Sequence, residues 1–187
     1  MLFRQGGFGL FLESHHTGME SLEDVWGIVM HYEQEWSGRG MKVLSMIQPW
    51  ATLLVQGETL YETRSWKTRY RGPLAIHASR KVDKQACKYE PMRSLLAKNG
   101  YTEQNLPTGV ILATCELSNC YQVIDANPSS AILDCGKVVT GEDLLLGDYS
   151  PGYFAWEIGG FRLLKPYIPA KGKLGLWEYP IDEELMI

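Results

Sequence analysis

Between residues 109 and 120 the chain alternates without a break. Val110, Leu112, Thr114 and Glu116 fall on one side, and Ile111, Ala113, Cys115 and Leu117 on the other. Residues two apart share a face only in a strand, so this is the longest strand the sequence predicts. A chain containing it has to be organised around a sheet. Shorter strand patterns lie at 42–46, 60–65, 73–79, 153–158, 161–164 and 172–179, with Gly159-Gly160 read as a hairpin turn between the fourth and fifth of these. Pro49 suits the first turn of a helix that runs to about Gln56 and stops at Gly57. Asp83 caps a second expected helix through Lys98, ended by Asn99-Gly100. Residues 121–139 read as looser, and Thr140 to Asp143 as one helical turn before Gly147. Five or more strands with two principal helices give an α+β class, and the expected form is a small mixed β-barrel with flanking helices.

The chain of 187 residues is 45% hydrophobic and 21% charged, the composition of one ordinary folded domain. It contains no apolar run of membrane-spanning length and no secretory-signal pattern at its start. The expectation is a cytoplasmic protein with no membrane partner. Cys87, Cys115, Cys120 and Cys135 form no CxxC pair, and His77 is the only histidine beyond residue 40. Free thiols are therefore expected, with no metal site. No phosphate-binding loop or other cofactor motif is present either, since the glycine-lysine stretch near residue 172 lacks the GxxxxGK[ST] spacing.

Residues 1–40 differ from the rest. They hold six acids against two arginines, and Leu22, Val25, Trp26 and Val29 have helical spacing over 20–36. The pattern changes abruptly at Met41, just after Gly-Arg-Gly, a tripeptide that a bacterial ribosome-binding site can encode. Residues 1–40 are thus expected to be an N-terminal extension or translated leader, and 41–187 the domain.

The net charge of −4 conceals an asymmetry. Residues 41–100 carry 11 Lys and Arg against four acids, whereas residues 101–187 carry five against 12. Four of the cations and two aromatics sit in one short run, Arg64-Ser65-Trp66-Lys67-Thr68-Arg69-Tyr70-Arg71. Guanidinium groups bind phosphate through a planar fork of donors, and an aromatic face can stack a base. Arg64, Lys67, Arg69 and Arg71 are candidate phosphate contacts, and Trp66 or Tyr70 a candidate stacking platform. On the preceding strand Glu62 and Arg64 share a face. An acid and an arginine side by side are costly to bury for stability alone, so the pair is a candidate for reading a base edge. Trp50 either lines a pocket or fills the core, and the helix it opens could present amides to a phosphate. His77 is either a core residue or a base, and Ser79 a nucleophile only if His77 activates it. Lys171 and Lys173, among glycines, could approach a phosphate.

Taken together, these pieces resemble the ASCH domain, a relative of the PUA fold. The resemblance is carried in order by Leu44-Ser45-Met46-Ile47-Gln48-Pro49-Trp50-Ala51, by the frame from Gly57 to Trp66, by Tyr70-Arg71-Gly72-Pro73-Leu74-Ala75-Ile76-His77-Ala78-Ser79, and by Lys171-Gly172-Lys173-Leu174-Gly175-Leu176-Trp177. It implies a PUA-like barrel with a cleft beside the glycine motif, and RNA or another nucleic acid or nucleoside as partner, with a protein partner as a further option. Glu62, Arg64, Trp66 and Arg71 carry over onto the family's pattern, and with the candidates read from the residues themselves the expected nucleic-acid-binding set is Trp50, Thr59, Glu62, Arg64, Trp66, Lys67, Arg69, Tyr70, Arg71, His77, Lys171 and Lys173. Some small bacterial relatives hydrolyse the acetyl amide of N4-acetylcytidine, using a lysine and a threonine of the glycine-motif strand with a glutamate elsewhere, and others are reported as ribonucleases. Here the lysine position is Thr59 and the threonine position Glu62. Binding is thus the leading expectation, and a hydrolase with Glu62 as catalytic acid–base the alternative.

Overall fold

The computed structural model describes residues 40–180, and the expectations for residues 1–39 lie outside them. Strand β1 (Met41–Gln48) leads through Pro49 into helix α1 (Trp50–Val55). Gly57, at φ 77°, turns the chain toward β2 (Tyr61–Arg64). Strand β3 (Gly72–Val82) is followed by a single 3-10 turn (Ala86–Lys88) and then helix α2 (Met92–Lys98). The one long helix expected over 83–98 is thus divided. Pro91 has no amide hydrogen and disfavours helical backbone in the residue before it, so a helix can start at Met92 but cannot pass through.

Strand β4 (Val110–Asn127) continues well past Cys120 and turns back into β5 (Ser130–Leu133) and β6 (Val138–Val139). The stretch expected to be loose is therefore largely a β-meander. Its inward residues Val123, Ala131, Leu133 and Val139 are buried together with Tyr61, Tyr149 and Ala155. Helix α3 (Gly141–Leu146) matches the expected helical turn. Residues 153–164 do not form a hairpin. Gly159 and Gly160 lie within one long strand, β7 (Phe154–Pro169). Gly160, at φ 67°, sits where the pairing of β4 with β7 slips between Thr114 and Glu116. The two glycines permit a bulge that bends the strand. Strand β8 (Leu176–Tyr179) closes the series.

The main sheet has the order β2-β7-β4-β3-β1-β8, with β5 and β6 extending from β4. All its pairs are antiparallel except β1 with β3. It curls around a core in which Leu44, Met46, Leu74 and Ile76 meet Leu117, Trp156 and Ile158. The fold is α+β as expected, but the sheet is not closed into a barrel. Strands β2 and β8 are its edges, and no ladder joins β2 to β1 among the described residues. A second cluster, built from Leu53, Met92, Leu95, Leu96 and Leu146, packs α2 beside α1. Of the cysteines, Cys87, Cys115 and Cys120 are buried and free, whereas Cys135 is free but exposed.

Candidate functional site

The site begins at the open seam. Strand alternation puts Glu62 and Arg64 on one face of β2, and antiparallel pairing sets them opposite Trp156 and Phe154 of β7. Arg64 Nη2 lies 2.8 Å from Glu62 Oε1. The same nitrogen donates across the seam to the Ser45 carbonyl of β1 at 3.1 Å. One guanidinium thus links the edge strand β2 to β1, between which no backbone ladder runs. Its Nε is buried and finds no acceptor. Burial raises the Glu62 carboxyl from 4.5 to about 7, and the adjacent Arg64 charge only partly opposes it.

This pair lies in a cleft of about 590 Å³. Ser45, Met46, Ile47 and Trp50 come from β1 and α1, Ser79 from β3 and Met92 from α2. One wall is formed by Leu145, Leu146, Gly147 and Asp148, and Leu174 stands on another. Trp50 both lines the cleft and packs on the two cores beneath it, so pocket and core are the same place for this side chain. The amide end of α1 is not free for a phosphate. Gln48 is fully buried, accepts from the Thr52 amide at 3.1 Å and donates to the Thr52 hydroxyl and the Pro107 carbonyl, both at 2.7 Å.

Thr59 does not line the cleft. Its hydroxyl donates to Asp143 Oδ1 at 2.7 Å, which also accepts from the Leu60 amide at 2.7 Å. The Asp148 amide donates to the Thr63 hydroxyl at 2.8 Å. These bonds fasten α3 and its following loop to β2, so Thr59 positions a wall. Gly147 fits there because a Cβ would lie 2.6 Å from the Tyr149 ring and 2.9 Å from Thr63 Cγ2.

His77 is buried at the sheet centre, where its Nε2 is 3.1 Å from the Ala170 carbonyl and its Nδ1 3.1 Å from the Ser45 hydroxyl. A carbonyl can only accept, so Nε2 carries the proton and Nδ1 accepts from Ser45. Burial lowers its affinity for a second proton, with the Ala170 hydrogen bond opposing. The Ser45 hydroxyl also accepts from Trp177 Nε1 at 2.9 Å. His77 therefore holds the 170–177 segment rather than activating Ser79. Gly172 lies against it so closely that a Cβ would be 2.5 Å from His77 Cε1 and 2.9 Å from Ser45 Oγ.

The conspicuous basic run contributes little to the cleft beyond Arg64. Trp66 meets the buried Trp156 edge-on, with centroids 4.5 Å apart. Tyr70 is half-buried, with its hydroxyl donating to the Pro73 carbonyl and pushed up to about 12 by burial. Arg71 donates to the Thr68 and Tyr70 carbonyls at 3.1 and 2.7 Å. Lys67 and Arg69 are exposed, as are Lys171 and Lys173, and the Lys173 ammonium sits 5.7 Å from the Trp177 ring centroid. The structure thus gathers Trp50, Glu62 and Arg64 of the expected set in the cleft. Sequence reasoning missed the cleft residues Thr63, Met92, Asp148 and Leu174, for which no local signal exists. It also missed the hub role of Ser45, which shows only once Ser45 is paired with His77 across the parallel β1–β3 ladder.

Comparison with known proteins gives a single answer. The ASCH domain family matches residues 44–158. The chain is 33% identical over 126 residues to activating signal cointegrator 1 of Homo sapiens, across 63% of this chain and 19% of that protein. It is 39% identical over 83 residues to activating signal cointegrator 1 of Mus musculus, across 41% of this chain and 14% of that protein. The chain therefore spans less than a fifth of the length of these relatives. The family match runs from the strand that carries Ser45, through the Glu62–Arg64 pair, into the first part of β7, and the chain belongs to the ASCH domain family.

Proposed function

We propose that this chain is a nucleic-acid-binding module, with RNA the expected ligand, that takes part of its ligand into the cleft at the β2–β1 seam. ASCH domains have a PUA-like fold generally linked to RNA binding. The observation that carries the reading is the Glu62–Arg64 pair at 2.8 Å inside a largely apolar cleft. A charge pair held in such a place is weak evidence for stability and better evidence for recognition. Glu62 supplies acceptors and Arg64 donors within one strand step of each other, a combination suited to the polar edge of a planar base. Met46, Ile47, Trp50 and Met92 supply apolar surface for its faces. Anisotropy with a fluorescent single-stranded oligoribonucleotide tests this. Arg64→Gln should weaken binding by roughly tenfold or more, in line with about 1–3 kcal/mol for a paired polar contact to a base. An unchanged affinity refutes the cleft as the binding place.

One observation favours a second reading, a hydrolase. A carboxyl raised to about 7 is poised for proton transfer at neutral pH, and Glu62 would be the acid–base. No lysine lines the cleft among the described residues, so the amine of the bacterial amidohydrolases has no counterpart there. Incubation with an oligoribonucleotide containing N4-acetylcytidine, followed by mass spectrometry, separates the two. Loss of acetyl or strand cleavage that Glu62→Gln abolishes establishes the enzyme, and an unchanged mass leaves the binding module.

A further inference from the structure

The two walls of the cleft differ in charge. Helix α3 and its following loop carry Glu142, Asp143 and Asp148 and no cation, and of these Asp148 lines the cleft. A second part of the lining belongs to the crossing segment that leaves β7 at Ala170, passes over His77 and Ser45 at Gly172 and reaches β8. It carries Lys171 and Lys173, with Leu174 beside them facing the cleft. The Ala170 amide donates to the Gly109 carbonyl at 3.0 Å, and the Arg80 side chain lies over Gly109, 3.4 Å from the place a Cβ would occupy. Arg80 is therefore about two strand spacings, roughly 10 Å, from the start of the lysine segment. Arg80, Lys171 and Lys173 have no carboxylate partner among the described residues. The crossing segment is also anchored, since the His77 and Trp177 bonds and the close seat of Gly172 fix its path.

We infer that the phosphates of a single-stranded polynucleotide run along this wall, contacted by Arg80, Lys171 and Lys173, and that the strand does not run along Lys67–Arg71. The inference rests on the reading of the cleft as a nucleic-acid site. Three physical facts support the choice of wall. A strand that leaves a residue in the cleft must exit over one rim, and Asp148 with α3 repels it from the other. Cations without partners lose no ion pair when a phosphate arrives. A segment already fixed in place loses less freedom on binding than a free loop. Lys67 and Arg69 also have no carboxylate partner among the described residues. No residue from 65 to 71 lines the cleft, however, whereas Leu174 of the lysine segment does, and Arg71 is already engaged by the Thr68 and Tyr70 carbonyls.

The test is the salt dependence of affinity for a fluorescent single-stranded oligoribonucleotide, measured on the full chain between about 50 and 200 mM salt. Each neutralised phosphate contact removes about 0.7 from the slope of log K against log salt for a single strand. The triple variant Arg80→Gln, Lys171→Gln, Lys173→Gln should therefore lower the slope by about 2. Because Arg80 packs on Gly109, the double variant Lys171→Gln, Lys173→Gln is measured alongside, with an expected loss of about 1.4. The variant Lys67→Gln, Arg69→Gln, Arg71→Gln should keep the full slope. Binding with an unchanged slope in the double variant, or a slope lost only in the 67/69/71 variant, overturns this inference and leaves the cleft reading standing. No binding by the unaltered chain overturns the cleft reading and this inference with it.

Discussion

Glu62→Gln isolates one carboxyl in the cleft, and its effect on folding can be worked out from the structure. Burial raises the folded-state carboxyl from 4.5 to about 7 against the pull of Arg64. A carboxyl with a folded value above its unfolded value binds protons more readily when folded. Its contribution is therefore most favourable below 4.5 and declines as pH climbs through the window from 4.5 to about 7. At 1.36 kcal/mol per pH unit, that gap corresponds to about 3 kcal/mol lost by about pH 8. Glutamine keeps the shape and still offers Arg64 an acceptor, but it does not titrate. Relative to Glu62→Gln, the unaltered chain should lose about 3 kcal/mol of stability between about pH 4 and pH 8. Urea unfolding, followed through tryptophan fluorescence at several pH values, measures the difference. Subtraction removes His77, which burial lowers and which costs stability as pH falls below 6.5. It also removes Glu58 and Glu157, where burial is outweighed by donors from Asn99 and Lys98 and from Lys137 and Asn119. A flat difference, or an unaltered chain that gains on the variant as pH rises, would mean that Arg64 governs the carboxyl and that the reasoning is wrong.

Other expectations follow from the packing. Gly172→Ala puts a Cβ 2.5 Å from His77 Cε1, and such overpacking should cost about 1–3 kcal/mol, visible as a lower Tm together with weaker oligonucleotide binding as the wall lifts. Thr59→Val removes the 2.7 Å bond to Asp143 and should cost about 1–2 kcal/mol, and an unshifted Tm would contradict its role as a fastening of α3. Trp66→Ala strips a partner from Trp156 and should destabilise by roughly 3 kcal/mol. Lost affinity at unchanged stability would instead make Trp66 an exposed stacking platform.

The sequence reveals some of this architecture and conceals the rest for physical reasons. The alternation through 110–117 forecasts a strand because both faces obey one period. Beyond Cys120 the same strand continues with exposed polar residues and a slipped register between Val123 and Asp125, and the period dissolves. Gly159-Gly160 reads equally as a turn or a bulge, and the choice depends on β4 lying alongside to pair with both halves. That partner is about 40 residues away in sequence, out of reach of any local pattern. The same division holds at the site. Glu62 and Arg64 share a face by strand geometry alone. That Arg64 reaches Ser45, and that α3 supplies a wall, depends on how the sheet curls. The basic run is conspicuous in sequence wherever the fold sends it, and only the folded chain shows that Arg64 alone of it lines the cleft.

The open seam affects how such a domain can change. In a closed barrel the interior width is locked by strand number and stagger, and a new width demands a new fold. Here one side chain, Arg64, bridges the opening between β2 and β1. The bridge is a side-chain contact, so it can be altered without removing any backbone hydrogen bond of the sheet. The width of the opening is thus set by a side chain and not by strand count, which puts it within reach of a point substitution.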